Sequence, residues 1–186
     1  MIVVKYKLTG IEALSRSQVI DAVKAALRRL GALWHEAFAW KRFTKLGYTE
    51  YGFQSRSTKY DKYKLRHRGH TNPLMLTGEA RDQLLSSSTV ARIRVSRDTL
   101  RIPMPTKLNR YNPAGPNMAD EVRAVSKDEL RQLSDALVIF IEDELDKQVP
   151  PQARNRGEIG GRVRKLELRI FKPSRGVYAP AQRRAA

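Results

Sequence analysis

The chain has 186 residues, 41% hydrophobic and 30% charged, with 36 Lys plus Arg against 19 Asp plus Glu and a formal charge of +17. That length suits one domain, and no apolar run approaches the roughly 18 residues that a membrane-spanning helix needs. Cysteine is absent, which excludes disulfides, thiolate catalysis and any cysteine-based zinc or iron–sulfur site.

The opening MIVVKYKL has three apolar residues after Met1 and no small-residue cleavage site, so no signal peptide is expected. Residues 2–8 alternate, with Val4, Tyr6 and Leu8 on one face and Lys5 and Lys7 on the other, and predict a half-buried strand. Ser15 or Ser17 is placed to cap a long helix over 17–42, whose stripe runs Val19, Ile20, Val23, Ala26, Leu27, Leu30, Trp34, Ala37 and Phe38. Its aromatic end (Trp34, Phe38, Trp40, Phe43) reads as core rather than as a stacking platform. Gly47, Gly52 and the polar run to Ser57 predict an exposed loop. Ser57 then caps a short basic helix over 58–68, closed by Gly69, with Tyr60 and Tyr63 on one side.

Beyond Pro73, Thr77 precedes a short helix over 78–86. Segments 89–96 and 99–105 pair as a hairpin across Arg97–Asp98, with Pro103 marking an edge. The stretch 104–119, with three prolines and Gly115, predicts a long loop, and Asp120 and Glu121 are expected before a strand or turn. A helix over 127–147 follows, with Ser126 and Glu129 as a capping box and Leu130, Leu133, Leu137, Phe140, Ile141 and Leu145 on one face. Pro150–Pro151 ends this core, so the chain divides into a 1–149 α+β domain and a basic arm over 150–186. Within the arm, 163–171 alternates Val163, Leu166, Leu168 and Ile170 with charge. A strand there must pair with the domain's own sheet or with a neighbour's edge, and these four apolar residues are candidate subunit contacts. The arm as a whole is expected to order only against a neighbour.

Charge falls in blocks. Residues 41–72 carry nine bases and two acids (+7), 148–186 ten bases and two acids (+8), and 126–147 three bases and seven acids (−4). Segregated charge of this kind suits head-to-tail self-assembly, one subunit's basic surface meeting the next one's acidic helix, as much as it suits nucleic acid. Lys59, Lys62, Lys64, Arg66 and Arg68, with Arg162, Arg164 and Lys165, are the candidate contacts to DNA or a partner. Tyr51, Tyr60 and Tyr63 among these cations would stack on single strands, but the preferred reading packs the tyrosines on the core and leaves the charges in water.

No phosphate-binding glycine loop, G-x-G-x-x-G or H-E-x-x-H occurs. His67 and His70 are read as solvated rather than as a metal pair, and the run Glu142, Asp143, Glu144, Asp146 as a solvated face rather than a nuclease site. No enzyme activity, cofactor or metal is expected.

The order of segments carries a resemblance. STKYDKYKLRHRGH leads directly into NPLMLTGEARDQLL, and NPAGPNMADEVRAVSKDELRQL follows the strand pair. This resembles the phage virion-morphogenesis and tail-completion proteins: a basic segment, then "PL…TG", a short helix and two strands, then a Pro/Gly loop, a strand-like segment and an "SxxE/D" helix. The match spans roughly 36–147. It implies an α+β fold with a small antiparallel sheet packed by two long helices and short helices. It also implies a structural virion protein at the head–tail junction (neck, head-completion or tail-completion). Such a protein forms a homo-oligomeric ring around the DNA channel and contacts portal, connector or tail-tube proteins, with no membrane partner. The alternative is a nucleic-acid-binding accessory protein without sequence preference.

Overall fold

The computed structural model describes residues 2–9, 11, 14–75, 77–105, 108, 117–149 and 162–170. In chain order these form β1 (Ile2–Thr9), α1 (Arg16–Ala37), a 3₁₀ turn (Ala39–Phe43), α2 (Leu46–Tyr51), α3 (Thr58–Arg68), α4 (Glu79–Leu85) and α5 (Ser87–Ala91). Then come β2 (Arg94–Val95), β3 (Thr99–Arg101), α6 (Met118–Val122), α7 (Lys127–Gln148) and β4 (Arg162–Ile170). The α+β class expected from the sequence holds.

Two long helices carry the core. At the start of α1, Ser15 and Gln18 exchange bonds, the Ser15 N–H donating to Gln18 Oε1 at 2.8 Å and the Gln18 N–H to Ser15 Oγ at 3.3 Å. Two orphan donors are thereby satisfied where the helix opens. The helix buries Ala22, Val23, Ala26, Leu27, Leu30 and Trp34, one stripe at a 3.6-residue period. Against it lies α7, burying Leu133, Leu137, Ile141 and Leu145. Arg29 reaches Asp143 and Glu144 while Trp34 reaches Glu129, so the two helices run antiparallel. Val149 adopts extended backbone, as the residue before Pro150 prefers, and α7 stops there.

The helices cover an antiparallel sheet in the order β2-β3-β1-β4, with α1 against the β2–β3 hairpin and α7 against β4. This is a two-layer arrangement in which each layer hides the other's apolar side. Leu100 of β3 is fully buried, and Leu8, Ile93, Val95 and Leu166 pack on the same core. Gly31 lets α1 approach the hairpin closely. A Cβ there would stand 3.1 Å from Ile93 and 3.3 Å from Leu100.

Several local expectations are corrected. The strand drawn over 89–96 is helical at its start, because α5 runs to Ala91, and only Arg94–Val95 pairs with β3. The loop drawn after Gly47 contains α2, which ends on Gly52 in the left-handed region at φ 64°. Asp120 and Glu121 belong to α6, capped by the Asn117 side chain. Ser126 caps α7 through the Glu129 N–H at 3.1 Å, but the Glu129 side chain is turned inward, so the box is only half made. The 163–171 strand pairs with β1 of its own chain, from Ile2 opposite Ile170 to Thr9 opposite Arg162, with an irregularity between Lys7 and Leu8. That segment of the arm is spent inside the domain's sheet rather than on a neighbour's edge, because β1 offers a strand of matching length. Residues 150–161 and 171–186 of the arm lie outside the described residues.

Candidate polyanion-binding surface on α3

The α3 helix begins at Ser57, whose hydroxyl accepts from the Tyr60 N–H at 3.3 Å, and ends at Gly69 with φ 71°. Arg66, His67 and Arg68 occupy its last turn, where the helix dipole favours cations. Only one residue of the helix is buried, and it is Lys64, 2% exposed. Its ammonium donates to the Asn72 carbonyl and lies 5.6 Å from the Tyr60 ring centre. Burial, reinforced by the positive charge of Arg56, holds that ammonium below the usual lysine range.

The sequence reading is inverted here. The tyrosines were expected to anchor the helix, yet Tyr60 is 37% and Tyr63 51% exposed, with Leu65 at 57%. A lysine does the anchoring because its four-carbon stem fills apolar space while its head finds a carbonyl. Lys64 therefore belongs to the interior and is not available to DNA or a partner. Lys59, Lys62, Arg66 and Arg68 remain exposed, and none of the four forms an ion pair among the described residues. The Tyr63 and His67 rings sit one turn apart with centroids 4.5 Å from each other. The result is a helix presenting to solvent two tyrosine rings and four cations without an ion-pair partner among the described residues. Such a surface attracts phosphate chains or acidic protein and offers flat faces for stacking.

The segment leading into α3 is pinned from below. Glu121 of α6 accepts from the two terminal guanidinium nitrogens of Arg56, at 2.9 and 2.5 Å, and from the Gln54 N–H at 3.1 Å. Both side chains are 9% exposed. A bidentate pair with a backbone donor added fixes the approach to Ser57.

Deeper in, Arg42 is wholly buried and all its bonds are made within the chain. Nε donates to the Val122 carbonyl at 2.8 Å, Nη1 to Phe38 at 2.9 Å, and Nη2 to Ala124 at 2.7 Å and to both Glu129 oxygens at 2.9 and 3.1 Å. Its guanidinium lies 4.8 Å from the Trp34 ring centre and 4.5 Å from that of Tyr51. Trp34 Nε1 donates to Glu129 Oε1 at 2.8 Å. Burial drives the Tyr51 phenol well above its ordinary range. This knot joins α1, the 3₁₀ turn, the residues after α6 and α7. Sequence reasoning missed it. The one available signal was a cation set among aromatics in FAWKRF. Of that aromatic group Trp34, Phe38 and Phe43 are core, as expected, while Trp40 is 42% exposed.

The remaining candidates divide. Arg162, Val163, Arg164, Lys165, Leu168 and Ile170 have backbone placed in β4, with side chains outside the described residues. Leu166 is half-buried against the chain's own core. The acidic end of α7 is engaged at home: Arg29 bonds Asp143 at 3.2 Å and Glu144 at 3.0 Å, and Lys147 bonds Glu144 at 2.6 Å. The bonds from Lys147 and Arg29 hold the Glu144 carboxyl below its usual range, against a smaller opposing effect of burial. Among the described residues no group of three His, Asp or Glu is placed to hold a metal ion, and no helix is long and apolar enough to cross a membrane. Compared with family models, with curated proteins and with solved structures, the chain finds no match.

Proposed function

We propose that the protein is a structural component of a tailed-phage particle, placed at the head–tail junction as a ring around the DNA channel and turning α3 toward DNA or an acidic partner. The observation that carries this reading is α3 itself. A helix held by one buried lysine, with its tyrosines in water beside four cations that have no ion-pair partner among the described residues, has the features of a contact surface. The segments that carry the resemblance to the virion-morphogenesis proteins form α3, the Pro73 turn, α4, the β2–β3 hairpin and α7, with the helix α6 where the family pattern has a strand-like segment. Portal, connector or tail-tube proteins are the proposed partners, with further copies of the chain, and the virion is the proposed location. Apolar contact must supply most of the subunit affinity, because exposed ion pairs are each worth only about 0–1 kcal/mol.

Imaging of purified particles, or of portal mixed with the protein, tests the proposal. A ring of additional density at the junction is the expected result. If the protein is in neither sample, the structural reading fails. The nucleic-acid accessory reading, favoured by the Tyr63–His67 ring pair, then takes its place.

A further inference from the structure

A second cationic site lies on the β2–β3 hairpin, on residues that the sequence reading did not single out. Arg92, Arg94 and Arg101 line an open cleft of about 420 Å³, whose remaining wall is Ala91, Ile102 and Pro103. All three arginines are exposed, and none pairs with an acid among the described residues. Arg94 and Arg101 stand directly opposite each other in the register. Opposed side chains on an antiparallel pair have Cβ atoms about 4.5–5.5 Å apart, and like charges so placed oppose folding. A two-residue strand facing a three-residue strand gains little from pairing two arginines. Their arrangement makes physical sense when an anion sits between them.

We propose that this cleft is a phosphate clamp that grips the phosphodiester backbone of nucleic acid passing along the hairpin. Guanidinium forks match phosphate oxygens two at a time, and three forks with no carboxylate among the lining residues leave the anion's place open. Hydrophobic Ile102 and Pro103 supply a wall that does not compete for those donors. A carboxylate from a second copy is the weaker candidate, because the acidic end of α7 already holds Arg29 and Lys147. The clamp reads no base, so it is blind to sequence. It shares no residue with α3 and stands whether or not the protein is a virion part.

The test is binding of the full chain to fluorescent double-stranded oligonucleotides of scrambled sequence across a salt series. The variants are Arg92→Ala/Arg94→Thr/Arg101→Thr, and separately Lys59→Ala/Lys62→Ala/Arg66→Ala/Arg68→Ala. Each phosphate released should remove about 0.9 from the slope of log affinity on log salt, so losing the clamp should flatten it by roughly 2–3. Thermal unfolding run in parallel should show the hairpin variant no less stable than the parent, which separates lost contact from lost fold. A hairpin variant that is folded and flattens the slope by less than about 1 overturns the proposal. So does polyglutamate competing as well as DNA, which would make the cleft a protein-docking site. Failure of the α3 variant alone to change binding bears on α3 and leaves the clamp intact.

Discussion

Arg42 and Arg101 carry the same guanidinium in opposite settings. Arg42 is fully buried, its donors take three carbonyls and a carboxylate, and aromatic rings cover it on two sides. Arg101 is exposed, faces another arginine across two strands and has no acid partner among the described residues. The first arrangement is complete without any other molecule. The second becomes favourable only when an anion arrives. The difference separates cations that build this protein from cations that are available to a partner, a distinction that a net charge of +17 conceals. Lys64 belongs to the first group and its helical neighbours Lys59, Lys62, Arg66 and Arg68 to the second.

The comparison breaks most visibly at Glu129. Glu129→Ala strips the carboxylate from Arg42 and from Trp34 Nε1, leaving a buried charge uncompensated, and should cost about 3–5 kcal/mol in urea unfolding. Replacing Arg42 and Glu129 together should not restore the parent, because the carbonyls of Phe38, Val122 and Ala124 lose their donor. A loss below about 1 kcal/mol for Glu129→Ala would mean that the knot is as dispensable as a surface pair. Glu121→Ala comes next, at roughly 1–3 kcal/mol, since Arg56 Nη2 and the Gln54 N–H lose their acceptor at a less buried place, while Arg56 Nη1 keeps the Gln54 carbonyl at 2.8 Å.

Lys64 gives a third, smaller effect, with a sign that pH reveals. Lys64→Met keeps the apolar stem and removes the charge, losing the bond to the Asn72 carbonyl at about 0.5–1.5 kcal/mol. Folded Lys64 releases its proton at lower pH than the unfolded lysine does. Between those two pH values the unfolded chain holds more protons, so the parent gains stability relative to Lys64→Met as pH rises toward about 10.5. Taking the difference between the two proteins cancels the opposite contribution of Tyr48 and Tyr51. Burial keeps both phenols protonated, so they lose stability as pH climbs above about 10. Stability differences that stay flat over this range would show Lys64 to be as solvated as its neighbours.

What the sequence revealed and what it hid follow the same division. Periodicity and caps located α3, α7 and the start of α1 to within a residue or so, because Ser15, Ser57, Ser126 and Gly69 act through local geometry alone; the helix expected to run to 42 ends at Ala37, and 39–43 is a 3₁₀ turn. The hairpin is legible at Arg97–Asp98 but shorter than its letters suggest, because Thr89 lies within α5, its hydroxyl donating back to the Gln83 carbonyl. The candidate site was half legible. Five cations on one helix are plain in the letters, but which of them turns inward depends on Asn72 lying nearby in the fold. Glu129 read as a cap because its spacing from Ser126 is local, whereas Arg42 is 87 residues away.

The finest distinction concerns the hairpin arginines. At an ordinary surface position an Arg→Thr change moves stability by less than about 0.5 kcal/mol in either direction, and most substitutions destabilise. Arg94 and Arg101 should depart from that trend. Removing one of two like charges held opposite each other relieves a repulsion of about 0.2–1 kcal/mol, and threonine adds a β-branched residue that suits a strand. Arg94→Thr should therefore unfold at a slightly higher temperature than the parent in low salt, and the gain should shrink as salt screens the repulsion. Adding a short duplex oligonucleotide should reverse the order, because a ligand that binds only the folded parent stabilises it by mass action. If Arg94→Thr is instead less stable than the parent without any ligand, the two arginines have found partners at home. The contrast with Arg42 then disappears.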